Sequence, residues 1–129
     1  EDYSIKGYES LATLMYSNMN ESTFKKVKQP LFLGYYYEDN ENQDRVVSVP
    51  KMKEMFAQIS TPSDLKREKA FPKSGDHVIG SSITSQDWEG VLFSTIDFLE
   101  NVVKIPAKAE FQEKVDELMQ MENSMKVID

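Results

Sequence analysis

Apolar positions along the 129-residue chain recur with two different periods, and the period decides which element each run predicts. Tyr8, Leu11, Ala12, Met15 and Met19 stand at helical spacing and predict one amphipathic helix over residues 8–19. A short turn follows between Ser22 and Val27. Gln29-Pro30 forces an extended entry, and Leu31-Phe32-Leu33-Gly34-Tyr35-Tyr36-Tyr37 is a continuous apolar and aromatic run, the pattern of a strand covered on both faces. Residues 38–45, Glu-Asp-Asn-Glu-Asn-Gln-Asp-Arg, are polar throughout and predict a loop leaving that strand. Pro50 suits a first helical turn, after which Met52, Met55, Phe56 and Ile59 recur at i, i+3, i+4 and i+7.

Ser60-Thr61-Pro62-Ser63 ends that helix, and a second extended segment is expected around Lys69-Ala70-Phe71-Pro72, leading into Ser74-Gly75-Asp76-His77. Thr84-Ser85-Gln86-Asp87 has the spacing of a capping box and precedes Trp88, Val91, Leu92, Ile96, Leu99 and Val103, a long amphipathic helix. Pro106 opens a last helix with Phe111, Val115, Leu118 and Glu122 down one side. Helix, strand, helix, strand, helix, helix is the order of an α/β protein with about two parallel strands and flanking helices. The chain divides accordingly into a helical segment (1–28), an α/β core (29–104) and a C-terminal helix (105–129).

Charge narrows the partners. With 15 Lys and Arg against 22 Asp and Glu the net charge is −7, a balance that repels phosphate backbones and anionic lipid heads, so no nucleic-acid partner is expected. Hydrophobic residues at 40% and charged residues at 29% belong to a globular chain. The absence of cysteine excludes a disulfide framework, a thiolate metal site and a cysteine nucleophile, and leaves the compartment open. No apolar run approaches the ~20 residues of a membrane span. Glu1-Asp2-Tyr3-Ser4 shows no basic-then-apolar leader, and a start without methionine suits a processed or truncated product.

His77 is the single histidine, and it follows the second expected strand. In open α/β sheets functional groups gather outside the carboxyl ends of the strands. Asp44 lies in the loop leaving the first strand, 77 − 44 = 33 residues earlier, a separation that one helix and one strand fill. Carboxylate and imidazole would then meet on adjacent strand ends, where the carboxylate fixes the ring's tautomer and stabilises the imidazolium during proton transfer. Asp39 competes for that role because it comes sooner after the strand. Asp76 adjoins His77 in sequence and reads as a turn former. Residues 38–44 lack the spacing of a calcium loop, no second histidine supports a metal centre, and the glycines are scattered singly, so neither metal nor cofactor is expected. Trp88, Tyr35 to Tyr37 and the methionines read as packing rather than as a ligand platform.

Taken together, Gln29-Pro30-Leu31-Phe32-Leu33-Gly34-Tyr35, Gln43-Asp44-Arg45-Val46-Val47-Ser48 and Lys73-Ser74-Gly75-Asp76-His77-Val78 resemble the α/β-hydrolase superfamily over roughly residues 28–104. The family pattern is a strand ending near glycine, an acid followed by valines, a helix, and then Gly-x-His. The resemblance implies Asp44 and His77 as the acid and base of a Ser-Asp-His triad. It also implies cleavage of an ester, thioester or amide through an acyl-enzyme. Residues 1–20 would be the end of the lid that the family inserts before this strand pair.

Two departures stand out. The loop between Tyr37 and Asp44 is longer than the family's turn, and no Gly-x-Ser-x-Gly elbow is present, since Gly80-Ser81-Ser82 follows His77 and lacks the second glycine. In family order the serine and the oxyanion-hole amides precede the acid, upstream of Glu1. The chain is therefore expected to be the C-terminal portion of a serine hydrolase, inactive alone. A non-catalytic binding module with a hydrolase-like fold is the alternative. A strand apolar on both faces and cut from its neighbours is also expected to drive homo-oligomer formation.

Overall fold

The computed structural model describes residues 5–106 and 108–126, apart from the side chains of residues 109, 110, 112 and 122–126, so the Glu122 side chain expected on the last helix lies outside the described residues. Helix α1 (Ile5–Asn18) is followed by the short α2 (Glu21–Phe24), strand β1 (Leu31–Tyr35), α3 (Val49–Gln58), strand β2 (Lys66–Ala70), α4 (Trp88–Asn101) and α5 (Ala109–Lys126). The protein is a small α/β fold. β1 and β2 pair in parallel, with Leu31 opposite Lys66 and Tyr35 opposite Ala70.

β2 reads Lys-Arg-Glu-Lys-Ala and begins three residues before the extended segment expected from the sequence. Its charges do not oppose pairing because the pleat sends alternate side chains to opposite faces, where each finds a partner on a covering helix. On one face Lys66 donates to the Phe56 carbonyl of α3 (3.0 Å), its ammonium 4.9 Å from the centre of the Phe56 ring, and Glu68 lies 3.4 Å from Lys53. On the other face Arg67 pairs with Asp97 of α4, and Lys69 donates to Ser94 at 2.7 Å. The stems of these residues cover the sheet while their heads reach its rim. α3 and α4 thus sandwich the two strands.

The core lies between these layers: Tyr35, Val49, Ile59, Phe71, Val91, Ile96 and Phe98 are buried. Phe32 stacks on Phe98 with centroids 5.5 Å apart and meets the edge of Phe71 at 6.5 Å. Gly34 makes this possible, since a Cβ there would stand 3.1 Å from the Phe71 ring and 3.2 Å from Ile79. Covered by two helices but flanked by one strand, Leu31 to Gly34 are half-buried and only Tyr35 is fully buried, less than the sequence implies. Tyr35 donates to Glu68 at 2.6 Å; burial first, and then the Glu68 carboxylate, hold its hydroxyl above the ordinary tyrosine range. Thr61, itself buried, ties the end of the crossover to Gln29 at the entry of β1 (2.7 Å).

Two helix ends differ from the sequence pattern. Asp87, rather than Thr84, is the N-cap residue of α4; its side chain makes no capping bond, and Ser85 Oγ accepts its amide instead. At the other end Lys104 adopts φ 64°, a left-handed conformation that costs a residue bearing a Cβ ~1–2 kcal/mol. Glycine removes that strain but adds ~0.5–1 kcal/mol of chain entropy to the unfolded state. Lys104→Gly is therefore expected to stabilise the fold by roughly 0.5–1 kcal/mol, read as a higher urea midpoint at unchanged slope. α1 covers the expected residues up to Asn18 and leaves Met19 just beyond its end, yet it contains no buried residue. α5 buries Val115 and leaves Phe111 exposed.

Candidate functional site

The loop after β1 is longer than a simple turn because it doubles back on itself. Tyr37 and Gln43 form an isolated antiparallel bridge, the Glu38 amide donates to the Asn42 carbonyl (2.9 Å), and the Asp44 amide donates to the Tyr36 carbonyl (3.1 Å). Residues 38–42 are looped out, and Asp44 returns beside Tyr36, one residue past the end of β1. A short connection would deliver the acid to the same place.

Asp39 takes part in that hairpin. Its Oδ1 accepts the amides of Glu41 and Asn42, each at 2.8 Å, and its Oδ2 accepts the Asn42 side chain at 3.0 Å. Those bonds, the Asn42 side chain foremost, hold its carboxyl below the usual aspartate range. The competing acid is thus a turn residue.

The loop after β2 is built to aim His77. The Phe71 amide continues the ladder to Tyr35 (2.9 Å), and Ser74, fully buried, donates from Oγ to the Phe71 carbonyl at 2.8 Å. The Gln86 amide holds the Ser74 carbonyl (3.1 Å), and Gly75, at φ 70°, supplies the left-handed step that turns the chain outward. Beyond the histidine, Asp76 Oδ1 accepts the Val78 amide at 2.8 Å, a turn of the kind expected from its position. Thr84 Oγ1 anchors the Val78 carbonyl at 3.1 Å.

Asp44 and His77 meet between these two loops. Asp44 Oδ2 lies 2.6 Å from His77 Nδ1, while Oδ1 accepts the amides of Val46 (2.8 Å) and Val47 (2.9 Å). The Asp44 side chain is 3% exposed and the His77 ring 40%, so the acid is covered and the base faces outward. With an ionised carboxylate on Nδ1 the neutral ring keeps its proton there, and Nε2, which has no hydrogen bond among the described residues, presents a lone pair. Tyr36, Gln43, Arg45, Val46 and Gly75 join the pair in lining an open cleft of about 330 Å³. The arrangement can accept a proton at Nε2 and return it, the imidazolium being stabilised by the buried carboxylate.

Burial opposes ionisation of Asp44, but the His77 hydrogen bond and the Val47 and Val46 amides outweigh it and hold the carboxyl below the ordinary aspartate range. A folded pKa below the unfolded one contributes stability that is whole above the unfolded value of about 3.9 and is lost as pH falls through the folded one. Asp44→Asn cannot titrate. Its urea midpoint is accordingly expected to fall less steeply below about pH 4 than that of the unmodified chain. Parallel slopes would show that Asp44 contributes nothing to the acid limb.

The buried Ser74 and the Gln86 amide that fixes it leave no mark in the sequence pattern. Ser74 follows a Pro-Lys pair in a polar stretch that carries no periodic signal. Among the described residues no group of His, Asp and Glu is arranged to hold a metal ion, and no helix is long and apolar enough to cross a membrane. Comparison with protein-family models, with curated proteins and with solved structures gives no match to this chain.

Proposed function

We propose that this chain is the C-terminal portion of a serine hydrolase of the α/β-hydrolase superfamily, contributing the acid and the base of its triad. The observation that carries the reading is the Asp44–His77 pair, 2.6 Å apart through Nδ1, on loops leaving the carboxyl ends of two adjacent parallel strands. His77 lines the open cleft, and in this reading a nucleophile would meet its Nε2 there.

In this reading a serine upstream of Glu1 attacks an ester, thioester or amide carbonyl. His77 Nε2 takes its proton and later passes it to the leaving group, and Asp44 keeps the ring in the Nδ1-protonated tautomer. Upstream backbone amides hold the oxyanion. The hairpin at 38–43 supports the same reading, because it reconciles the long loop with the placement of Asp44.

The test is an esterase assay on the natural full-length product with neutral p-nitrophenyl acyl esters, run beside the isolated chain. Turnover by the full-length product, with an upstream Gly-x-Ser-x-Gly serine required for it and none by the isolated chain, supports the proposal. A full-length product that turns over no acyl substrate leaves Asp44–His77 as the fixed polar pair of a binding module.

A further inference from the structure

The cleft beside His77 is walled by polar side chains that their own loops already hold. Gln43 Nε2 donates to the Asn40 carbonyl (2.7 Å), Asn42 Nδ2 to Asp39 (3.0 Å) and Arg45 Nη2 to the Glu41 carbonyl (3.0 Å), while Asp76 Oδ1 accepts the Val78 amide (2.8 Å). Gln43, Asn42, Arg45 and Asp76 all line the cleft. Each is fixed at one atom and keeps another polar atom without a hydrogen bond among the described residues: Gln43 Oε1, Asn42 Oδ1 and Asp76 Oδ2 can accept, and Arg45 Nε and Nη1 can donate. Groups held in place before a ligand arrives lose little freedom in binding it.

The position of this wall says which part of a substrate it meets. In the proposed reaction, on which this inference rests, His77 passes its proton to the leaving group, so the group seated beside His77 is the one that departs. Its chemistry follows by elimination. Apart from Val46, Gly75 and the Tyr36 ring the lining is polar, and a hydrocarbon alcohol would leave it unpaired. An anion would face Glu41, Asp44 and Asp76 against one guanidinium, in a chain of net charge −7. A cation would face Arg45 and the imidazolium that His77 becomes. A hydroxyl donates and accepts at once and carries no charge, so several together answer a wall of mixed donors and acceptors. The volume of about 330 Å³ lies at the lower end of the ~300–1,000 Å³ of ligand pockets, room for one ring rather than a long chain.

We propose that the cleft receives a neutral polyhydroxylated leaving group, so that the reaction is cleavage of an ester of a sugar or similar polyol. Gln43, Asn42, Arg45 and Asp76 hold the hydroxyls. The acyl carbon–oxygen bond breaks as the serine–acyl bond forms, the serine's proton passes through His77 to the departing sugar oxygen, and water later releases the acyl group as a carboxylic acid. The hairpin after β1 thereby has a second use: besides returning Asp44 to the histidine, it carries Asn42 and Gln43 into the wall.

The test compares acetate release by the natural full-length product from acetates of four primary alcohols: methyl 6-O-acetylglucopyranoside, cyclohexylmethyl acetate, acetylcholine and 2-acetoxyethanesulfonate. kcat/KM for the sugar ester is expected to exceed each of the others by at least ~100-fold, since a wall built for hydroxyls rejects a group that lacks them. Gln43→Leu is expected to cut the ratio of the sugar ester to the cyclohexylmethyl ester about tenfold. A change that merely disturbed the hairpin would lower both rates and keep the ratio. A smaller preference for the sugar ester, a preference for the cation or the anion, or an unchanged ratio in Gln43→Leu overturns the polyol proposal and leaves the triad standing. A full-length product that turns over no acyl substrate sinks the hydrolase reading instead, and binding then decides the polyol. Methyl glucopyranoside at about 100 mM, enough to populate a weak site, is expected to shift the His77 ring and Gln43 side-chain amide signals of the chain in NMR spectra. Unmoved signals overturn the proposal.

Discussion

In the longer product that the proposed function requires, Asp44→Asn is expected to lower kcat about 10⁴-fold with the fold intact. Asparagine keeps an oxygen where Oδ1 accepts the Val46 and Val47 amides, so the turn into α3 is preserved. What changes is the group facing His77. Nδ2 of asparagine donates, so it bonds the unprotonated form of Nδ1 and drives the ring proton to Nε2, the atom that must be free to accept. The imidazolium also loses its buried counter-charge. His77→Ala is expected to cost at least as much, and the two changes together little more than His77→Ala alone, because the pair acts as a unit. The check is a kcat series with both single variants and the double variant, alongside urea midpoints. Additive losses, or an Asp44→Asn effect below about tenfold, would mean that the carboxylate only shapes the loop.

Phe71→Ala is expected to destabilise the chain by about 3–5 kcal/mol, a large part of the ~5–15 kcal/mol that keeps a domain of this size folded. Phe71 is 1% exposed, packs beneath Gly34 and meets the edge of Phe32, so nothing nearby can fill the space it leaves. Its backbone also carries the path from strand to site. The amide extends the ladder to Tyr35, and the carbonyl receives both the amide and the hydroxyl of Ser74, three residues before His77. Loss of packing at Phe71 should loosen the histidine before the whole chain unfolds. Urea titration followed by circular dichroism gives the stability change. His77 ring signals, read by NMR below the transition, should broaden in Phe71→Ala and stay sharp in Lys104→Gly, since Lys104 does not line the cleft.

Much of this architecture is legible in the sequence, and the reason differs by element. α3 is plain because Met52, Met55 and Phe56 fall half-buried and Ile59 buried at helical spacing. β1 is plain because it is a continuous apolar run. β2 is hidden because Lys66, Arg67, Glu68 and Lys69 each answer a different partner on α3 or α4, so the strand has charges where a pattern of burial would show. The hairpin at 38–43 is hidden for a related reason: turn bonds from Asp39 and Asn42 fix it, and they leave no hydrophobic trace.

The pairing of Asp44 with His77 follows from topology, since two parallel strands joined by one helix set their following loops side by side. Asp44 rather than Asp39, as the resemblance implied, stands beside the histidine, and what brings it there is the bridge that returns residue 44 beside Tyr36. The sequence marks both α1 and β1 as apolar, but the structure alone separates a strand sandwiched by helices from a helix with no buried residue.

The reading of Asp44 and His77 as a working acid and base is tested most directly by covalent labelling. Treated with a serine-directed fluorophosphonate, the natural full-length product is expected to take about one label per chain, on a serine upstream of Glu1, with labelling slowed about a thousandfold or more in His77→Ala. The isolated chain is expected to take none. Stoichiometric labelling of Ser81, Ser82 or any other serine within these residues, or upstream labelling that is as fast without His77 as with it, would contradict the account.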